Sequence, residues 1–182
     1  MDALAAIVIG LVFGGGDQYL GSRIALGAWA VSVSLMSAPW LVLPFLAGAR
    51  AVRPQRAVAL GSIVTAAALA GYFAMTLSPF EGVRLATVPG FLPGLLQSNL
   101  PVIAGAVVTA PLYGYLGWRW RSGRRLGPVA MVAGALCLEP VARLWYGQMS
   151  QPALVWQLEI AAGLAAALAL LALRPRATIS PA

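Results

Sequence analysis

Apolar residues fall in six long blocks, at about 3–21, 25–49, 57–77, 100–118, 128–147 and 153–173. Each block has the roughly 17 to 25 residues that a helix needs to cross the hydrocarbon core of a bilayer. The pattern predicts an all-α fold: a polytopic membrane helix bundle of six transmembrane helices, forming a single transmembrane domain over residues 1–182. The first block lacks a basic n-region, carries Asp2 and runs into Gly14-Gly15-Gly16-Asp17 rather than a small-residue cleavage site, so it reads as a helix and not as a signal peptide. Connections are short except at 78–99. There Pro79, Pro89, Pro93, Gly82, Gly90 and Gly94 break any regular helix, while Phe91, Leu92, Leu95 and Leu96 keep the segment apolar. An outer lid or re-entrant cap is expected at 78–99.

Composition supports the membrane assignment. The chain is 60% hydrophobic and 9% charged, against about 25% charged in a soluble domain. Its net charge of +7 comes from twelve cations that are all Arg and fall mostly between the apolar blocks. They are read as topology, and no nucleic-acid partner is expected. Arg50, Arg53 and Arg56 follow the second block, Arg119, Arg121, Arg124 and Arg125 follow the fourth, and Arg174 and Arg176 lie in the tail. Cytoplasmic loops hold the excess of positive charge, so these nine belong on one face. With six spans that face holds both termini, which predicts an N-in/C-in, multi-pass protein of the plasma membrane with 78–99 outside. Arg23 and Arg84 remain for the outer loops, and Arg143 lies within the fifth span.

Against this background three carboxylates stand out: Asp17, Glu139 and Glu159. An ionisable group at bilayer depth costs roughly 2.5 to 3.5 kcal/mol on insertion scales, so it faces a bundle interior, finds a partner or keeps its proton. At about 1.5 Å of rise per residue, Glu159 lies roughly 9 Å and Glu139 roughly 12 Å below the outer surface. Asp17 comes just before the outer end of the first span. All three acids share the outer half with Tyr19, Trp29, Tyr72, Phe73, Trp145, Tyr146 and Trp156, with Trp40 nearer the midplane. A single outer-half cavity is the expectation that follows.

Plainer roles compete for each residue. Tyr and Trp near span ends serve as interface anchors, which applies to Trp29, Trp145 and Tyr146, whereas Trp40 and Trp156 suit a pocket better. Glu139 and Arg143 have the i, i+4 spacing of a structural ion pair, and Asp17 has Arg23 nearby as a surface partner. Pro140 frees the Leu136 carbonyl and marks a kink; Pro39, Pro44 and Pro111 are expected to bend the second and fourth spans. Glu159 has no cation within one helical turn and has Gln157 and Trp156 beside it. Small residues on the first, third and sixth spans allow close helix contact. The absence of His, and a single Cys, Cys137, in mid-block, remove Cys/His metal sites, dithiol chemistry and His-based triads; neither a metal nor a cofactor is expected, and Cys137 reads as inert packing.

A carboxylic acid buried without a cation is a strong local proton donor, and aromatic faces stabilise positive charge by about 0.5 to 2 kcal/mol each. That combination fits protonation of an alkene or epoxide in a lipophilic prenylated molecule and guidance of the carbocation, the chemistry of an acid-initiated, metal-independent terpene cyclase. On this expectation Glu159, Asp17 and Glu139 are the catalytic candidates. Tyr19, Trp29, Trp40, Tyr72, Phe73, Arg143, Trp145, Trp156 and Gln157 are the substrate-binding ones.

The runs Gly-Gly-Gly-Asp-Gln-Tyr-Leu-Gly at 14–21 and Ser-Ala-Pro-Trp-Leu-Val-Leu-Pro-Phe-Leu-Ala-Gly at 37–48, with Gly71-Tyr72-Phe73 and Leu138-Glu139-Pro140, resemble a family of small actinobacterial polytopic membrane proteins, mostly of unassigned function. In size and six-span layout the chain is more distantly similar to the small membrane terpene cyclases of bacterial indole-sesquiterpene pathways, which implies cyclisation of a farnesyl chain. It also resembles the substrate-binding subunits of energy-coupling-factor vitamin transporters. That likeness implies a vitamin held by Asp17, Glu159 and Asn99, and an Ala5/Ala6/Gly10 face that docks coupling transporter subunits. The hydrogen-bonding side chains within the spans, mainly Ser32, Ser34, Ser37, Ser62, Thr65, Thr76 and Thr109, are few for a water-soluble vitamin. A structural membrane protein with a satisfied polar network is the third reading.

Overall fold

The computed structural model describes residues 1–123, 126–145, 147 and 153–172, without the side chains of Ile24, Leu85, Leu126, Leu170 and Leu171. Arg124, Arg125, Arg174, Arg176 and Tyr146 therefore lie outside the described residues. Among those described, the chain is helical with no strand. The helices are α1 (Ala3–Ser22), α2 (Ala28–Ser34), α3 (Ala38–Ala49), α4 (Pro54–Thr76), α5 (Val88–Ser98), α6 (Leu100–Gly123), α7 (Leu126–Trp145) and α8 (Ala153–Ala172).

Helix α1 starts where Asp2 caps it: the Asp2 carboxylate accepts the Ala5 N–H at 2.7 Å, satisfying one of the free donors of the first turn. Its small residues then decide its neighbour. Gly10 meets Val64 and Ala68, Gly14 meets Ala68, and Gly71 of α4 meets Leu11, so closely that a Cβ at any of the three would overlap backbone atoms. The two helices run parallel and almost touch, as membrane packing without a hydrophobic drive requires. Gly61 and Gly114 do the same between antiparallel α4 and α6, and Gly48 and Gly117 between α3 and α6. Ala6 and Gly10, expected as an outward docking face, are instead buried against α4. Helices α7 and α8 form an antiparallel pair, with Gly163 against Leu136 and Cys137. The Cys137 thiol lies 3.9 Å from the Ile160 carbonyl, a packing contact.

The Arg-rich segments collect at one end of this bundle together with the N-terminus. Arg56 donates to the Met1 carbonyl at 3.3 Å, the Trp118 indole to the Val52 carbonyl at 3.2 Å and Arg121 to the Ala49 carbonyl at 3.0 Å. At the opposite end Ser22 donates to Glu81 and Arg23 to the Phe80 carbonyl, tying the end of α1 to the turn at 79–81.

Four helices are long and apolar enough to cross a membrane: α1, α4, α6 and Gly127–Trp145 of α7. The second expected span, 25–49, is not one helix. It divides into α2 and α3, bent by 51° across residues 35–37, and counts as a fifth span if the pair crosses together. Pro39 in the first turn of α3 has no N–H to give to the Leu35 carbonyl, which is what ends α2 there. Helix α8, 20 residues long like α1, is apolar over its described stretch Ala153–Ala169. Among the described residues, four to five helices thus qualify as membrane spans.

Segment 78–99 also departs from expectation. Rather than lacking regular helix, it contains 3₁₀ turns at Pro79–Glu81 and Leu85–Thr87 and then α5. Pro89 falls in the first turn of α5, where a missing N–H costs nothing, and only Pro93 interrupts the bonding. Phe91, 60% exposed, turns outward.

Candidate functional site

The break in the second span organises two polar regions, one on each side of it. Residues Ser37 and Leu41 line both.

The first is a cavity of about 320 Å³ between α1, α3, α4 and α6. Asp17 is its single charged wall residue, roughly 7 Å below the end of α1 at helical rise. The Trp40 indole N–H donates to the Asp17 carboxylate. Trp40 stands edge-on to Phe13, with ring centroids 5.3 Å apart, and to Tyr72 at 6.2 Å; Tyr72 in turn meets Phe73 at 5.7 Å. Trp40, Tyr72 and Phe73 line the cavity, and Ser34, Ser37, Thr65, Asn99 and Thr109 contribute hydroxyl and amide groups. Leu35, Met36, Leu69, Val102 and Ala106 complete an apolar wall. Thr65, 5% exposed, has no hydrogen-bond partner for its hydroxyl. A buried hydroxyl without a partner costs about 1 to 3 kcal/mol, and this one belongs to a residue of the cavity wall.

The second region is a more open hollow of about 290 Å³ lined by a hydrogen-bonded cluster. The Glu139 carboxylate accepts the Ser37 N–H at 2.7 Å and the Ala38 N–H at 2.6 Å. It is paired with Arg143, whose Nε and terminal nitrogen lie 2.9 and 2.8 Å from Oε1. Arg143 also donates to the Leu35 carbonyl and, at 3.3 Å, to the Ser37 hydroxyl. Three groups opened by the break are therefore met: the carboxylate takes the Ser37 and Ala38 N–H groups at the start of α3 and the guanidinium takes the Leu35 carbonyl after α2. Negative charge at a helix N-terminus and positive charge at a C-terminus also suit the two half-helix dipoles. Beside this pair Trp156, 1% exposed, carries the Arg143 guanidinium 5.2 Å from its ring centroid. Glu159 is 4% exposed and within electrostatic reach of Glu139 and Arg143. Neither of its oxygens makes a hydrogen bond of normal geometry among the described residues.

The three acids thus do not share one hollow, as expected, but divide between the two regions. Glu139 and Arg143 take the structural ion-pair role that their spacing allowed, and Asp17 forms no ion pair with Arg23 among the described residues. Arg23 instead covers the Tyr19 ring at 5.0 Å. Of the expected binding residues, Trp40, Tyr72 and Phe73 line the cavity with Asp17, while Arg143 and Trp156 belong to the Glu139 cluster. Tyr19, Trp29 and Trp145, 39%, 49% and 85% exposed, face outward, as does Gln157. Their positions near helix ends suit interface anchoring better than lining a pocket. Sequence reasoning missed Phe13, which supports Trp40 from α1, and the backbone amides of Ser37 and Ala38. A signal for the latter was present: Ser37 two residues before Pro39 is the pattern of a helix start. The segment expected as a lid reaches the cavity only through Asn99 at its end.

No protein-family model, curated protein or solved structure matches the chain. Among the described residues no group of three His, Cys, Asp or Glu side chains gathers to hold a metal ion.

Proposed function

We propose that the chain is an integral membrane protein of the plasma membrane, six-span with both termini inside, that binds a small amphipathic molecule in the Asp17 cavity from its outer half. One observation carries this reading. A lone carboxyl, an unpartnered Thr65 hydroxyl and three aromatic rings line one cavity of about 320 Å³. That volume sits at the lower end of the roughly 300 to 1,000 Å³ of small-molecule sites, and such sites combine apolar walls with a few placed polar groups. The ligand class is tested by binding of 3-tert-butylphenol, an amphipathic probe, to the purified protein in nanodiscs, followed through tryptophan fluorescence. Saturable binding that disappears in Ala106→Trp, which fills the void, is expected. Binding unchanged by that substitution would overturn the reading.

The role of substrate-binding subunit in an energy-coupling-factor-type vitamin transporter agrees with the polar half of the lining, since Ser34, Ser37, Thr65, Asn99 and Thr109 converge on it. Its expected docking face is used up inside the bundle, so any coupling subunit would meet another surface. A second reading is favoured by the ring cluster Trp40, Tyr72 and Phe73 beside Asp17: acid-initiated cyclisation of a prenyl chain. In that reaction Asp17 gives its proton to an alkene carbon, the cation closes a ring, and a proton returns to the carboxylate, leaving an isomer. The same hydroxyl groups weigh against it, because they would trap a carbocation. Ring product formed from a linear prenylated substrate by the purified protein, and lost in Asp17→Asn, is the outcome this second reading requires.

A further inference from the structure

We propose that the ligand of the Asp17 cavity is an organic cation, an alkyl- or arylammonium group on a short apolar body. This rests on the reading that the cavity is a ligand site, and it names the charge that site selects. The Asp17 carboxylate is the single charged group on the wall and has no ion-pair partner among the described residues. The nearest cation in sequence, Arg23, is engaged by the Phe80 carbonyl and the Tyr19 ring. A carboxylate at bilayer depth with one indole hydrogen bond is under-compensated. A positive ligand supplies what is missing.

The surroundings choose the kind of cation. A hard metal ion takes about six or more oxygen ligands, mostly charged or carbonyl, whereas this wall offers one carboxylate with Trp40, Tyr72 and Phe73, and its other polar groups, Ser34, Ser37, Thr65, Asn99 and Thr109, come from α2 through α6. Aromatic faces attract alkylammonium groups, which are weakly hydrated and bring their own apolar surface. The hydroxyl of Thr65, buried and unpartnered, would take a hydrogen-bonding group on the body of the ligand. Charge along the bundle points the same way. Arg50, Arg53, Arg56 and Arg121 gather at the end of the bundle that holds Met1, away from Asp17, whose own end carries fewer cations, Arg23 and Arg84, together with Glu81.

The test uses a matched pair of probes, 3-hydroxyphenyltrimethylammonium and its uncharged isostere 3-tert-butylphenol, with the full chain in nanodiscs. The cation is expected to bind at least tenfold more tightly than the phenol. In Asp17→Asn that ratio should fall to near one. Tyr72→Leu, which leaves the carboxylate in place, should weaken the cation several-fold more than the phenol, and it serves where Asp17→Asn does not fold. Equal binding of both probes to the wild type would overturn the cation assignment and leave the cavity reading intact. Failure of both probes to bind would overturn the two together.

Discussion

Two acidic regions flank the same helix break, and they differ in how fully their polar groups are answered. Around Glu139, two backbone amides, a guanidinium and the facing carbonyl of Leu35 form a connected network beside a hollow of about 290 Å³. Around Asp17 there is one indole donor and a void. Both carboxyls sit at helical positions within apolar blocks, and what separates them in the sequence is the Arg four residues after Glu139. The difference teaches that a membrane-embedded acid is a site candidate by what it lacks. A saturated carboxylate is a fastener for the break, whereas an under-satisfied one beside a cavity has capacity left for a ligand.

Removing half of the fastener is the strongest challenge to that comparison. Arg143→Met leaves Glu139 unpaired and the Leu35 carbonyl without its donor, and breaking a buried pair costs about 3 to 5 kcal/mol. Thermal unfolding in detergent should register the loss, and a stability within 1 kcal/mol of wild type would place the pair on the same footing as Asp17. Next comes Gly14→Val, which forces α1 from the Ala68 carbonyl. Overpacking costs about 1 to 3 kcal/mol, and because Gly14 lies one turn from Asp17, probe affinity should fall along with melting temperature. Asp17→Asn should hardly change stability, by less than about 1 kcal/mol, while changing which probes bind; a collapse like that of Arg143→Met would erase the distinction between the regions. The smallest effect is expected for Glu159→Gln. A carboxylate at that position adds negative charge next to Glu139, and its neutral isostere should leave the melting temperature equal or slightly higher. A marked loss of stability there would mean that Glu159 is a working member of the network.

Much of the site was legible in part. Asp17, Tyr72 and Phe73 were flagged as acid or ring residues in the outer half and Trp40 as nearer the midplane, and the structure gathers them at one cavity. Tyr19, Trp29 and Trp145 were flagged on the same grounds and turn outward. Depth along a helix follows from counting residues, but azimuth depends on which face a neighbour covers, and in a helix apolar all round no pattern of polar positions reports it. The i, i+4 spacing of Glu139 and Arg143 announced an ion pair, yet nothing local to α7 announced that the pair would clasp a break in a distant helix. Pro39 and Ser37 held that information on the other side, and only their juxtaposition joins the two.

The sequence by itself determined that this chain belongs in a membrane, where its apolar blocks lie, and which end carries the Arg-rich loops, because solvation of whole segments depends on composition and length. It also determined the helix contacts at Gly10, Gly14 and Gly61, since only small residues allow backbones to meet. The tertiary structure decided that the second block breaks in two, that Glu139 and Arg143 are consumed in holding it, and that Asp17 faces a cavity with no ion-pair partner among the described residues. Those outcomes depend on which hydrogen-bonding groups from separate helices come within 3 Å of one another, a matter of packing geometry that no single stretch of sequence contains.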